Sequence, residues 1–382
     1  MRKDVVIIGG GFAGRQAARV LANSGAQVAL FDPNPVSTML PALPDLAGGW
    51  IPEDLVSRPL SELLPRSVEL IPQTVSAVNL DAGILVAGNE NVEYRFLLLA
   101  AGSTPNFHNV KFPRERLYAL GSLADALRIR REFENYLRDA KHPQLLVAGT
   151  GYTGLELALS LFFRARAAGK PCPAAIVDPT PILLPSLPEK QRQYVLDFLT
   201  GQGVDVRLGV GVETYDGRTA VAGGRAYENP FFCWAAGSTF AIPNIEGRVA
   251  RLRDGRLKVN PDLSLPGYPN VFAAGDSAAI ERHGQALRKA VNFAYYGGRH
   301  AGHNIARRLR GRPPRPFRPV DLGWIVPFHS TSIGRLPGGV WIHGPLGVRL
   351  HHLMCGVRNY TFKNFAGCLK LAWKPYKKGN HP

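Results

Sequence analysis

A chain of 382 residues, 45% apolar and 20% charged, has the composition of a globular protein and the length for two to three domains. It contains no run of 18 apolar residues, which excludes a single helix spanning a bilayer. The formal net charge is +17 and is unevenly spread: residues 1–281 hold 28 basic and 28 acidic side chains, whereas 282–382 hold 18 basic ones and a single acid, Asp321. Charge of one sign gathered in the last quarter points to an anionic partner, either lipid or nucleic acid.

The first predicted element is a buried strand, Val5-Val6-Ile7-Ile8, and it runs directly into Gly9-Gly10-Gly11-Phe12-Ala13-Gly14. A strand this close to the start leaves no room for a leader peptide, so the chain is expected on the cytosolic side of a membrane. In a glycine turn of this kind the first glycine allows a tight exit from the strand. The second lets a pyrophosphate approach the backbone, and the third lets the helix pack closely on the strand. A second strand, Gln27 to Phe31, ends at Asp32, 23 positions after Gly9, where a carboxylate can accept hydrogen bonds from ribose hydroxyls.

The pattern recurs about 140 residues later. Leu145-Leu146-Val147-Ala148 runs into Gly149-Thr150-Gly151-Tyr152-Thr153-Gly154, and the strand Ala174 to Val177 ends at Asp178, 29 positions after Gly149. The longer gap fits an extended helix and loop. An acid at this place favours NADH over NADPH, whose 2′-phosphate would face a carboxylate. Either motif alone could be a glycine-rich turn of an ordinary βα unit. Two of them, each led by a strand and followed by an acid, imply two dinucleotides and a path for electrons between them.

Farther on, Pro269-Asn270-Val271-Phe272-Ala273-Ala274 is a strand leading into Gly275-Asp276 and the small residues Ser277-Ala278-Ala279. Here the sequence resembles the two-dinucleotide flavoproteins, the pyridine nucleotide-disulfide oxidoreductase-like family. Over roughly residues 1 to 345 it is most similar to the type II NADH dehydrogenase and ferroptosis-suppressor quinone reductase branch. Gly151-Tyr152-Thr153-Gly154-Leu155-Glu156-Leu157 resembles that branch's signature, with Tyr152 where proline is usual. The segments Leu97 to Gly102 and Cys233 to Gly237 look like the family's two strand-to-glycine crossovers.

The resemblance implies an α/β fold with two Rossmann-like three-layer nucleotide-binding domains, the second inserted in the first, and a small C-terminal α/β segment that associates with a membrane. The expected division is an FAD-binding domain in two parts, 1–112 and 246–320, an NADH-binding domain at 113–245, and the basic C-terminal segment 321–382. The insertion begins near Ser122, which suits a helix N-cap. The implied cofactors are FAD and NADH. The implied contacts, in chain order, are Gly9, Gly11, Phe12, Ala13, Gly14, Asp32, Val75, Ala101, Gly102, Gly149, Gly151, Tyr152, Thr153, Gly154, Asp178, Ala236, Gly237, Gly275 and Asp276. Asp276 would face the flavin's ribityl chain.

The implied activity is transfer of a hydride from NADH to FAD and of electrons onward to a quinone at the membrane surface, without proton pumping. Flavin carries that chemistry, and few side chains need act as acids or bases. Glu156 is the candidate catalytic residue: in the branch, a glutamate here lies near the nicotinamide–flavin contact and can relay protons to a reduced quinone. The alternative for Glu156 is a helix N-terminal acid favoured by the helix dipole. Asn292 and Tyr296 stand where type II enzymes carry two glutamines near the quinone, so they are the candidate substrate residues. The sequence leaves a homodimer open.

Cys172, Cys233, Cys355 and Cys368 lie far apart, so no CxxC or CxxxxC redox pair exists and a dithiol mechanism is disfavoured. Residues 1–171 hold no cysteine, which also weighs against a sulfide:quinone oxidoreductase-like alternative. A ferredoxin reductase-like flavoprotein remains a further alternative on the same scaffold. No metal site is expected: His300 and His303 have no acid or thiol close by in sequence, and Cys355 alone beside His351 and His352 does not make a ligand set.

The proline-rich stretch Arg312 to Pro319 reads as a stiff linker. After it come short strands near 325–327 and 339–342, then a helix with Pro345 near its start. Leu346, Leu350, Leu353 and Val357 recur at helical spacing, as do Phe362, Phe365, Leu369 and Trp373. Lys363, Lys370, Lys374 and Lys377 flank the second stripe, with Trp373 and Tyr376 at its end. That pattern resembles a helix lying in the plane of an anionic membrane surface. The alternative is an ordinary helix packed on the core. A nucleic-acid partner is disfavoured, because basic and apolar residues interleave at helical spacing.

Overall fold

The computed structural model describes residues 2–241, 244–282, 284–357 and 361–373. They fall into two compact units, Met1–Thr38 with Arg58–Thr104 and Ser238–Leu322, and Met39–Ser57 with Pro105–Gly237 and Gly323–Pro382.

The first unit is built on a nine-stranded mixed sheet. Its centre is Arg2–Ile8, parallel to Val28–Phe31 on one side and to Glu90–Leu99 on the other, with Ile8 opposite both Phe31 and Leu99. Val5 to Ile8 and Val28 to Phe31 are all buried, as expected of parallel strands covered on both faces. Tyr268–Ala273 joins in parallel beside the end of Glu90–Leu99. Two helices, Phe12–Leu21 and Val291–Leu309, pack against each other at very short range. A Cβ placed on Gly298 would lie 2.1 Å from the Ala13 carbonyl oxygen, so only glycine permits that approach.

The second unit holds an all-parallel sheet in the order Leu117–Ala119, Phe231–Trp234, Leu145–Ala148, Ala174–Asp178, Asp205–Leu208. Its helices are Leu123–Asp139, Tyr152–Ala167 and Glu189–Gly201. Ser122 caps the first of these, its hydroxyl accepting from the Asp125 N–H at 3.1 Å. The second sheet is all parallel and the first is parallel around its central strand, as expected of nucleotide-binding domains.

This grouping differs from the four-part division drawn from sequence. Residues 39–57 pack with the second nucleotide unit because the helix Leu43–Ala47 lies against Leu123–Asp139 and Tyr152–Ala167. The Ser160 hydroxyl donates to the Pro44 carbonyl at 2.7 Å, and the Trp50 indole N–H to the Ser160 carbonyl at 3.0 Å. Residues 323–382 group with the same unit and are not set apart.

The C-terminal segment has three antiparallel strands, Trp324–Phe328, Thr331–Arg335 and Trp341–His343, where two were expected. The extra one escapes a sequence reading because its hairpin turn is His329-Ser330, with His329 at φ +59° where glycine or asparagine usually signals a turn. The linker 312–319 has no helix or strand.

Two helices follow, Gly344–Val357 and Phe362–Trp373. The buried residues are Gly347, Val348, His351, Cys355 and Gly356 on the first and Asn364, Cys368 and Ala372 on the second, mostly small or polar apart from Val348. Much of the large apolar surface stays outside, with Leu346, Val357, Phe362 and Trp373 between 59% and 83% exposed. Lys363 and Lys370 accompany them, while Lys374, Tyr376 and Lys377 lie outside the described residues.

Candidate functional site

Each unit carries one glycine cradle, and the two are built alike. Gly9 sits at φ +105° and Gly149 at +116°, conformations that let the chain turn sharply out of its strand. A Cβ on either would come within 2.3 Å of a backbone oxygen, that of Ala100 or Ala235, where the crossover strands Glu90–Leu99 and Phe231–Trp234 end. On the third glycines the clash would be with the first: Gly14 against the Gly9 oxygen at 1.8 Å, Gly154 against the Gly149 oxygen at 2.1 Å. The middle glycines behave oppositely. A Cβ on Gly11 or Gly151 would meet no atom within 4 Å. Each middle glycine caps a helix N-terminus, Phe12–Leu21 or Tyr152–Ala167, whose first amides are free of helical partners. Open space before a helix N-terminus, with no side chain in the way, suits a pyrophosphate.

The acids are positioned by those same loops. One oxygen of Asp32 accepts from the Gly10 N–H at 2.6 Å and the other from the Asn34 N–H at 2.8 Å. Asp178 repeats this, accepting from Thr150 and from the Thr180 N–H at 2.8 Å. Burial pushes the Asp178 carboxyl up, but the donors from Thr150 and Thr180 outweigh it and hold the group below its usual range. It is therefore ionised, as a ribose acceptor must be.

Asp276 lies in the short turn Gly275–Ser277, with Gly275 at φ +68°. Burial raises its pKa, while Lys289 and a 3.3 Å hydrogen bond from the Ser103 hydroxyl oppose the rise. The Gly102 N–H donates to the Ser277 hydroxyl at 3.1 Å, tying the first crossover to this turn. Ala101 lies within 2.7 Å of where a Gly9 Cβ would stand. In the other unit the Ala236 carbonyl accepts from the His108 ring at 2.7 Å and Gly237 accepts from the Asn106 N–H. Phe12 and Ala13 are buried at the start of their helix, and Tyr152 tilts against Trp324 at 5.3 Å. Thr153 is exposed beside it. Val75 opens the strand Val75–Asn79 and is part of the core, so only its backbone can face a cofactor.

Glu156 is the fifth residue of the helix Tyr152–Ala167, one turn in from its start. Burial, followed by the nearby Asp45 carboxyl, raises its pKa well above the ordinary value. Asp45, which the sequence reading did not single out, shares a small cavity with Glu156, Ser160, His329 and three prolines. Nothing in the local sequence marks it; folding brings it there across 111 residues.

Of the two candidate substrate residues, Asn292 has one amide hydrogen engaged, donated to the Val320 carbonyl at 2.6 Å. Its own oxygen is buried without a partner. Tyr296 is 37% exposed and meets Tyr295 edge to face.

Comparison with known proteins agrees with this geometry. The sequence model of the pyridine nucleotide-disulphide oxidoreductase family matches residues 3–294. The type II NADH:quinone oxidoreductase of Mycobacterium tuberculosis is 29% identical over 84% of this chain and 77% of its own length. The demethylphylloquinone reductase of Synechocystis is 25% identical, covering 95% of this chain and 94% of that one. Among solved structures, NDH2 of Plasmodium falciparum in complex with NADH superposes with a TM-score of 0.82 at 14% identity, over 98% of this chain and 99% of that one.

Proposed function

The chain belongs to the pyridine nucleotide-disulphide oxidoreductase family, and on that premise we propose that it is a type II-like NADH:quinone oxidoreductase with FAD and NADH as cofactors. The observation that carries this reading is the repeated cradle: an open middle glycine at a helix N-terminus, paired each time with a loop-anchored carboxylate. The relatives named for NADH and quinone chemistry span most of the chain, which supports the choice of donor and acceptor.

Gly9 to Gly14, Asp32, Val75, Ala101, Gly102, Gly275 and Asp276 would hold FAD. Gly149 to Gly154, Asp178, Ala236 and Gly237 would hold NADH. Bound flavin would supply hydride acceptance and electron transfer to the quinone. The protein's own part is to orient two dinucleotides by their phosphates and riboses and to provide protons. Asp178 disfavours a 2′-phosphate by charge. Glu156 would serve as the proton donor, and Tyr296 would hydrogen-bond the quinone. Asn292 would stand beside it, its amide N–H held by the Val320 carbonyl.

The same reading places the protein on an anionic membrane surface, facing the cytoplasm. No described helix is long and apolar enough to cross a membrane. The exposed Leu346, Val357, Phe362 and Trp373 beside Lys363 and Lys370 support attachment through the C-terminal helices. A sulfide-oxidising reading is disfavoured by the cysteines, all four of which are buried. Burial also pushes the thiols of Cys172, Cys233 and Cys355 upward, away from the thiolate that such chemistry needs.

The deciding experiment is the absorption spectrum of the purified protein before and after anaerobic NADH, followed by a quinone. Flavin bands should bleach with NADH and return with quinone, and sulfide should leave them unchanged. Bands that bleach with sulfide and not with NADH would overturn the assignment.

A further inference from the structure

The cavity beside Glu156 contains a second carboxyl. It is lined by Pro41, Pro44, Asp45, Glu156, Ser160, Pro327 and His329, and by no lysine or arginine. Three prolines offer no N–H donor, and the Ser160 hydroxyl is engaged with the Pro44 carbonyl. Two carboxyls in such a place, without a cation, cannot both ionise. We propose that Asp45 and Glu156 share a proton and hold it for the quinone, with Asp45 acting through Glu156 as a positioning residue. This rests on the quinone-reductase reading and names the group that serves it.

The chemistry requires such a store. NADH, a quinone and one proton give NAD⁺ and the quinol. The nicotinamide is oxidised by loss of a hydride, the quinone gains two electrons and two protons, and one of those protons comes from the medium. The Glu156 carboxyl would give that proton to a quinone oxygen and become a carboxylate. As Glu156 loses its proton, Asp45 would take one up from solvent, so that one proton stays between the two carboxyls throughout.

Burial lifts Asp45 to about 7, where a general acid works best at neutral pH, and burial with the Asp45 carboxyl raises Glu156 well above its usual range. The other titratable neighbours do not compete for the proton. Burial lowers His329 to about 4, so its imidazole is neutral. Its ring stacks on Phe163 at 4.1 Å and meets Trp50 at 4.7 Å, which fixes its orientation despite the left-handed backbone. The Cys355 thiol feels both carboxyls and is pushed up by burial and by them, so it stays protonated.

The test is an infrared pH titration of the carboxylic-acid C=O band in purified holoenzyme, run on wild type, Asp45→Asn and Glu156→Gln, with kcat for a quinone measured across the same pH range. Wild type should keep a protonated carboxyl at neutral pH. Asp45→Asn should lower the midpoint of the remaining carboxyl by about one pH unit or more and move the alkaline limb of kcat to lower pH by a similar amount. Asp45→Glu should restore both. Flavin content and melting temperature report whether each variant has folded; if Asp45→Asn does not fold, Asp45→Ser, which also removes the carboxyl, carries the same comparison. An unchanged band and an unchanged pH profile in folded Asp45→Asn would overturn the shared proton while leaving the NADH:quinone activity standing. A titrating pair in a protein that reduces no quinone would overturn its assignment to quinone chemistry.

Discussion

Thr150 holds one carboxylate oxygen of Asp178 with two donors, its backbone N–H at 2.7 Å and its hydroxyl at 2.9 Å. The acid expected to choose between dinucleotides is therefore fixed by the same loop that would cradle their phosphates. NADH should be preferred over NADPH, because a 2′-phosphate would meet this carboxylate and lose ribose hydrogen bonds, together about 1–3 kcal/mol. Asp178→Ala should narrow the ratio of kcat/KM values. Equal or better kcat/KM with NADPH in the wild type would contradict the role given to Asp178.

Gly11 and Gly14 should respond differently to substitution. A side chain at Gly11 meets no protein atom, so Gly11→Trp should fold and yet lose FAD, the indole filling the space left for the pyrophosphate. Gly14→Val should instead fail to fold or melt much lower, since its Cβ would sit 1.8 Å from the Gly9 oxygen. Folded Gly11→Trp protein with a full flavin spectrum would remove the first cradle from the FAD site.

Gly298→Val should force the helices Phe12–Leu21 and Val291–Leu309 apart at Ala13. Overpacking of this kind costs about 1–3 kcal/mol or more. Urea unfolding of the variant should show a lower midpoint and earlier flavin release. A midpoint equal to that of the wild type would mean that the two helices do not pack this closely.

Removing residues 345–382 would strip Val348, Cys355 and Cys368 from their packing, so point substitutions test the membrane better than truncation. Leu346, Val357, Phe362 and Trp373, changed together to serine, should leave the fold intact. Each large side chain fully withdrawn from water contributes about 1.5–3 kcal/mol, and each basic residue at an anionic surface about 1 kcal/mol. The wild type should float with anionic liposomes at low salt, and the variant should float at least about tenfold less. Wild-type protein that stays unbound would leave nucleic acid as the explanation for the charge.

Acid should destabilise the protein through buried histidines. His351, whose Nδ1–H donates to the Ile325 carbonyl at 3.1 Å, is lowered by burial from 6.5 to about 4. Between those values the unfolded chain binds a proton that the native state does not, so this part of the stability is lost as pH falls. Asp45 works in the opposite sense: raised from 3.8 to about 7, it binds its proton in the native state first and adds stability on acidification. His351→Gln should flatten the decline in urea midpoint between about pH 7 and about pH 4.5, and Asp45→Asn should steepen it. The same slope in all three proteins would contradict both shifts.

Sequence alone determined the two cradles, their carboxylates and the α/β class. These features are local: a strand, a turn and a helix start lie within about fifteen residues, and only glycine can occupy the positions of close approach. It also determined the charge split and the apolar stripes of the last two helices, since helical periodicity follows from spacing, but not which way those stripes face. Tertiary structure decided what spacing cannot encode. Asp45 reaches Glu156 only because Leu43–Ala47 packs against Tyr152–Ala167, a contact between segments more than a hundred residues apart. The strand Thr331–Arg335 needed a histidine held at positive φ by its surroundings, where a local reading looks for glycine. The pKa shifts of Asp45, Glu156 and His329 likewise come chiefly from burial, and desolvation depends on everything that folds around a group and not on its neighbours in the chain.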